Sequence, residues 1–287
     1  MVVCHYNKDC SPALRYMTLH SMAFLCKNRP PGLRIMVVDG SPDEDAALAQ
    51  GLAELKVEYL HLGKELTFPE TYNAGIRKTA NPFIVLLAND IFIEADQIVK
   101  LAAEIHGEVG CAIPYLSFSD YGTQIIRRIV VPPRCYPSQM TLNVNAFSRG
   151  ALERIGLIPE QMTGAFNDVI LFIKLREANY SIILRNVGYV FHMAKQTLRT
   201  GATTVSHEKD ALLFMQEFPD YWRNGAILFH KIAQRKITRF LYKALVSLPV
   251  SLVNKFNLRS LVWSIEPYIC AESGTYREGI IKIFNRQ

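Results

Sequence analysis

The stretch Phe83-Ile84-Val85-Leu86-Leu87-Ala88-Asn89-Asp90 places the tightest constraint on what this chain folds into. An apolar run too short for most helices, opened by Asn81-Pro82 and ended abruptly by polar residues, predicts a buried strand that delivers a carboxylate. Ile91-Phe92-Ile93 then resumes the apolar character, so Asp90 stands at a break between two hydrophobic segments. In open α/β sheets ligands bind beyond such strand ends. Asn and Asp are also common at ordinary strand-to-turn junctions for conformational reasons, so the neighbouring segments decide the weight of the signal.

Upstream, Met1 to Cys4 predicts a short strand, and Ser11-Pro12 supplies an N-cap and a first-turn proline. Leu14, Met17, Ser21, Phe24 and Leu25 share one face of the helix that follows, which Pro30-Pro31-Gly32 ends before a strand at Ile35 to Asp39. Asp39-Gly40-Ser41-Pro42-Asp43 is a turn-rich strand end, followed by an Ala/Leu-rich helix through about Leu55 and a short strand at Val57 to Leu62. A helix at Phe68 to Thr79, slightly weakened by Gly75, leads into the central strand. Beyond Asp90, Ile98, Leu101, Ala102 and Ile105 repeat at helical spacing, and Cys111 to Pro114 reads as another buried strand. Strands alternating with helices imply a largely parallel sheet covered by helices on both faces.

Between Tyr115 and Met140 the pattern is irregular, with aromatic residues, Arg127, Arg128, Arg134 and Pro132-Pro133 interleaved, as in a substrate loop or an edge hairpin. Leu142 to Phe147 predicts a strand, Arg149 to Ile155 a short helix and Gly156 to Phe166 a loop. Asp168 sits near the start of the next helix, with Val169, Phe172 and Ile173 on one face, and Tyr180 to Leu184 forms a strand. His192 follows the apolar, strand-like segment Val187 to Phe191. Later residues are helical in period and basic, with Lys231, Arg235, Lys236, Arg239 and Lys243 between Ile232, Ile237, Phe240 and Leu241. This divides the chain into a domain at 1–200 and a helical basic appendage at 201–287.

With 49% hydrophobic residues in 287, a packed core is expected. A net charge of +6 mildly favours anionic partners without naming one. Cys4, Cys10, Cys26, Cys111, Cys135 and Cys270 show neither a CxxC pair nor zinc-like spacing and read as reduced, mostly buried thiols. The start Met1-Val2-Val3-Cys4-His5 has no secretory pattern, and a cytoplasmic location is expected. The longest apolar candidate for a membrane span, Leu241 to Val253, is interrupted by Lys243, Ser247 and Pro249.

Four pieces fall in order: Tyr6-Asn7 after the first strand, Val38-Asp39-Gly40-Ser41 after the second, Leu87-Ala88-Asn89-Asp90, and Asn167-Asp168. Together they resemble the family 2 glycosyltransferases, inverting enzymes of the GT-A fold, over roughly the first two thirds of the chain. The resemblance implies a nucleotide-binding, Rossmann-like, mostly parallel sheet and a nucleoside-diphosphate sugar donor, with Tyr6, Asp39, Asn89 and Asp90 in its binding site. Asp39 corresponds to the carboxylate that contacts the nucleoside, with Val38 in place of a first acid. Asn89-Asp90 corresponds to the end of the DXD element, making Asp90 the candidate ligand of a divalent cation, Mg²⁺ or Mn²⁺, with Asn in place of a neighbouring acid. Asp168 corresponds to the general base, with Asn167 where relatives carry Glu, and His192 to a histidine near the metal or diphosphate. Asn73 and Gly75 resemble the helix facing the donor phosphates, although Tyr72 replaces the expected basic residue, and Asn73 receives no role.

Each residue also has a plainer reading. An Asp-Gly turn needs no ligand, an Asp in the first turn caps a helix, and a lone histidine belongs to many cores. The expected function is sugar transfer, with a UDP-sugar favoured, to a glycan or lipid-linked acceptor in cell-surface or lipid-linked glycan synthesis. No nucleic-acid partner is expected. A non-catalytic nucleotide-sugar binder or assembly partner and a sugar nucleotidylyltransferase are the alternatives. The former is favoured by the two Asn replacements and opposed by the retained Asp168; the latter lacks a glycine-rich phosphate loop near the N-terminus. The absence of GxxxxGK[ST] disfavours a P-loop NTPase. The basic appendage fits either peripheral membrane attachment or packing on the domain or in a homo-oligomer interface.

Overall fold

The computed structural model describes residues 1–114, 116, 142–193, 205–218 and 252. Their frame is a 7-stranded sheet in the order β3-β2-β1-β4-β7-β6-β8. Its strands are β1 (Val2–His5), β2 (Met36–Asp39), β3 (Glu58–His61), β4 (Phe83–Ala88), β6 (Val109–Pro114), β7 (Val144–Ser148) and β8 (Ser181–Arg185). β7 runs antiparallel to both β4 and β6, while the remaining pairings are parallel. β5 (Ile91–Phe92) and β9 (Phe191–His192) form a separate two-stranded ribbon.

Alternating side chains on the central strands divide the core into two layers. Val3, Val37, Val85 and Leu87 face α1 (Pro12–Cys26), α2 (Ala46–Glu54) and α4 (Ala95–Ala103), burying Met22, Leu25, Leu48, Leu52, Ile98 and Leu101. Val2, Val38, Ile84 and Leu86 face α3 (Phe68–Arg77), α5 (Arg149–Arg154) and α6 (Asn167–Glu177), burying Tyr72, Ile76, Leu152, Leu171 and Phe172. A third cluster joins Met162, Phe166, Val169, Ile170 and Ile173 to Phe214 on α7 (His207–Glu217). Residues 205–218 therefore pack on α6, and a Lys174–Glu217 ion pair of 2.7 Å lies beside that contact.

Several local expectations are corrected. Ser11 occupies the N-cap position of α1 without a side-chain cap bond. Instead, the Asn7 side chain brackets Ser11, accepting from its N–H at 2.8 Å and donating to its carbonyl at 3.0 Å. Phe24 leaves the buried face of α1, 42% exposed, and meets Phe92 edge-on. Of the Val187–Phe191 segment only Phe191 is in a strand. Gly75 is the close-approach point of α3, since a Cβ there would lie 2.3 Å from Val2 Cγ1 and 2.9 Å from Val38 Cγ2. Among the described residues, no helix is long and apolar enough to cross a membrane. Cys4, Cys10, Cys26 and Cys111 are free, and burial pushes the Cys4 thiol up to about 12. The loop with Arg127, Arg128 and Arg134, the basic residues from Lys231 to Lys243, Leu241 to Ser251, Val253, Cys135 and Cys270 lie outside the described residues.

Candidate active site

Parallel register sets His5 beside Asp39, Asp39 beside His61, and Cys4 beside Ala88. The segments that follow β1, β2 and β4 consequently emerge together at the carboxyl ends of the strands. The Asp39 carboxylate is fully buried. Its Oδ1 accepts from Ser41 N at 2.9 Å and from the Ser41 hydroxyl, and its Oδ2 accepts from the Tyr59 hydroxyl at 2.7 Å. Burial and this bond to Asp39 raise the Tyr59 pKa. Ser41 Oγ also accepts from Asn7 N at 2.9 Å, tying the end of β1 to the end of β2. Gly40 passes so close to α3 that a Cβ would lie 2.4 Å from Thr71 Oγ1. Tyr6 is half-buried and its hydroxyl donates to Glu65.

Asn89 is turned inward. Its amide nitrogen donates to Thr18 Oγ1 at 2.9 Å and lies 3.2 Å from His5 Nδ1. Thr18 gives its own proton to Leu14 O at 3.1 Å, so its oxygen needs a donor partner. An ionised carboxylate at position 89 has no donor to offer, which accounts for the amide there. Burial lowers the pKa of His5, leaving it neutral.

Asp90 comes next, where the chain turns into β5. Its Oδ1 is 3.4 Å from His192 Nε2, and its carbonyl accepts from Met193 N at 3.0 Å. Pairing of Ile91 with His192 in the β5–β9 ribbon brings these distant residues together. Asn143 Nδ2 lies 3.5 Å from His192 Nδ1 on the opposite side of the ring. Gln97 of α4 steadies the approach to β9, donating to Val187 O at 3.2 Å and Tyr189 O at 3.0 Å.

Asp168 is the second residue of α6, which packs against β8. The short link from α6 to β8 reverses the chain, so the helix starts toward the carboxyl ends of the parallel strands. Phe166 precedes it with a left-handed φ of 61°. The Asn167 side chain accepts from Asp168 N at 2.9 Å, and Asp168 Oδ1 accepts from Val169 N at 2.7 Å. Loss of solvent around the half-buried carboxyl raises its pKa to about 6, against the pull of those backbone donors. Such a group is ionised near neutrality while remaining basic enough to take a proton.

Asp90 and His192 are thus in contact, Asn89 faces the interior behind them, Asp39 and Tyr6 lie at the neighbouring strand ends, and Asp168 begins a helix on the same side of the sheet. Asn73 pins the 158–160 segment, donating to Ile158 O at 2.8 Å and Glu160 Oε1 at 2.9 Å. Sequence reasoning missed Tyr59, Gln97, the His5–Thr18 pair and Asp210, whose partners lie far away along the chain. Tyr59 alone carried a usable signal, because it lies within the strand expected at Val57 to Leu62, which follows the one ending in Asp39. Carboxylate oxygen beside imidazole nitrogen is a suitable donor pair for a divalent ion such as Mn²⁺. Among the described residues no third His, Cys, Asp or Glu joins them.

The family model for glycosyl transferase family 2 matches residues 2–147. Among curated proteins no sequence match was found. In fold, the chain is similar to the mannosyltransferase PcManGT from Pyrobaculum calidifontis in complex with GDP-Man and Mn²⁺, with a TM-score of 0.55 and 15% identity over 100% of this chain and 87% of that one. It is likewise similar to TarS 1-349 of S. aureus in complex with UDP-GlcNAc, with a TM-score of 0.55 and 14% identity over 97% of this chain and 91% of that one.

Proposed function

Because this chain belongs to glycosyltransferase family 2, we propose that it moves a sugar from a nucleoside-diphosphate sugar to a hydroxyl acceptor with inversion. Asp168 is the general base, and Asp90 with His192 holds a divalent cation, Mg²⁺ or Mn²⁺, at the donor diphosphate. The observation that carries this reading is the 3.4 Å approach of His192 Nε2 to Asp90 Oδ1 where β4 ends. A cation held there would supply charge neutralisation for the departing diphosphate. Asp168 takes the proton of the acceptor hydroxyl as its oxygen attacks the anomeric carbon from the face opposite the nucleotide. Its carboxyl, with a pKa of about 6, is ionised for that task at neutral pH. Residues 1–200 form the catalytic unit and 201–287 an appendage, of which α7 is buried against α6.

Tyr6, Asp39 and Asn89 belong to the donor side, Asn89 by holding the segment before Asp90 in place. A UDP-sugar is the favoured donor. A carboxylate offers about four acceptor positions, and Ser41 N, Ser41 Oγ and the Tyr59 hydroxyl engage Asp39. The position left on Oδ2 matches the single ring N–H of uracil better than the paired donors of guanine.

The test is a thermal-shift panel of UDP-, GDP-, dTDP- and CMP-sugars with and without Mn²⁺ or Mg²⁺. A ligand at about 100 times its Kd stabilises the folded state by about 2.7 kcal/mol. A UDP-sugar shift that requires the cation and disappears in Asp90→Ala is expected; no shift with any donor would overturn the reading. A lipid-linked or cell-surface acceptor, reached at the inner face of an anionic membrane through Arg235, Lys236 and Arg239, completes the proposal. Salt-sensitive flotation with anionic but not neutral liposomes tests that last part.

A further inference from the structure

Asp210 of α7 is fully buried, and its partners form one continuous turn. Thr163 N donates to Oδ1 at 2.8 Å and to Oδ2 at 3.0 Å. Oδ2 also accepts from Thr163 Oγ1 at 2.9 Å, Gly164 N at 3.0 Å and Ala165 N at 2.8 Å. Ser206 N closes the arrangement by donating to Thr163 Oγ1 at 2.6 Å. A buried carboxylate is tolerated only when hydrogen-bonded, and three consecutive backbone N–H groups form a nest around this one. The captured turn leads into Phe166, whose left-handed φ of 61° is costly for a bulky residue and is opposed by stacking on Phe214 at 5.4 Å. Gly164, at φ 149°, lies where a Cβ would meet Val205 Cγ2 at 2.6 Å, so the turn sits flush against the segment that carries α7. Asn167 and Asp168 follow directly.

We propose that Asp210 is a positioning residue for Asp168: reaching across from α7, it fixes the turn at 163–165 and thereby the direction in which α6 presents the base. The proposal rests on the assignment of Asp168 as base. It also makes α7 a structural requirement of the chemical step, although α7 contributes no group to the reaction. Donor binding depends on other strand ends and is independent of this clamp.

Asp210→Asn keeps the size of the side chain but removes its charge and turns an amide toward donors. Amide exchange across residues 163–169 should quicken about 10-fold or more. The Asp168 carboxyl, followed by ¹³C NMR and identified by its loss in Asp168→Asn, should titrate below the wild-type value of about 6 as water enters. Release of nucleoside diphosphate from UDP-GlcNAc or GDP-mannose with Mn²⁺ should fall about 10- to 100-fold in kcat, the scale of a misplaced catalytic group. The thermal shift by UDP or GDP should stay unchanged. In the Asp168→Asn background the second substitution should cost nothing further. Faster exchange with wild-type titration and turnover would show a merely structural role and overturn the proposal. If Asp210→Asn fails to fold, Thr163→Val removes a single hydroxyl and should show a smaller downward shift of the same titration; an unshifted titration overturns the proposal equally. Wild-type turnover in Asp168→Asn alone refutes the base assignment beneath it. Lost turnover there with an unaffected Asp210→Asn refutes the clamp alone.

Discussion

At Asp168 the burial that lifts the carboxyl pKa to about 6 also makes its ionised form costly to the fold. In the unfolded chain an Asp titrates near about 3.9. Between those values the folded state binds more protons than the unfolded one, so stability falls as pH rises through the window and stays lowered above about 6. Asp168→Asn should therefore be more stable than the parent near neutral pH, by on the order of 2 kcal/mol, with the difference vanishing below about pH 4. Thermal melts across pH check this. A capping role alone predicts no such pH-dependent gain, since Asn caps about as well as Asp. The same substitution should lower transfer about 10²- to 10⁴-fold, and parental kcat/KM should fall about tenfold per unit below the apparent pKa. At the neighbouring centre, Asp90→Ala and His192→Ala should each weaken Mn²⁺ binding measured by calorimetry with UDP present. The imidazole loss should be the milder, because the carboxylate carries the charge. Unchanged cation affinity in both would separate the 3.4 Å contact from any metal role.

Among the elements, the strand Phe83–Ala88 was legible because its apolar run is bounded on both sides, and α3 because Tyr72 and Ile76, four residues apart, share a buried face. The reversed direction of β7 was not, since residues 144–148 carry no mark of orientation and β7 enters the sheet between β4 and β6 only through long-range pairing. The β5–β9 ribbon was hidden for a related reason: two-residue strands leave no period to read. Asp90 and His192 could be named from the resemblance, but their contact depends on that ribbon. Gly75 shows the opposite limit, where propensity gave the wrong emphasis. It weakens α3 as an isolated helix yet lets the helix lie against Val2 and Val38, where a methyl group would approach within 2.3 Å. Gly75→Ala should accordingly destabilise the protein by about 1–3 kcal/mol through overpacking, despite the better helix propensity of Ala. Urea unfolding measures it, and a more stable variant would mean that α3 moves outward freely.

For the whole molecule, α6 is where residues 205–218 meet the part of the chain that carries the sheet. α6 is buried almost all round: Leu171, Phe172 and Leu175 face the sheet, whereas Val169, Ile170 and Ile173 face the cluster containing Phe214. A helix with apolar residues on opposite sides needs cover on both, and α7 provides the second. The sequence reading set Val169, Phe172 and Ile173 on one face; the structure divides them, turning Phe172 to the sheet and Val169 with Ile173 to Phe214, and which later segment covers the second side was not legible because that pairing is long-range. Phe214→Ala should remove the ring stacked on Phe166 and cost about 3–5 kcal/mol, the range for deleting a buried aromatic side chain. The loss should appear in the main unfolding transition, because Phe214 shares its core with the helix bearing Asp168. Differential scanning calorimetry distinguishes the arrangements. A lowered single transition means that α7 and the sheet unfold as one unit, whereas an unmoved main transition with a separate weak one would make residues 1–200 self-sufficient and α7 a detachable cover.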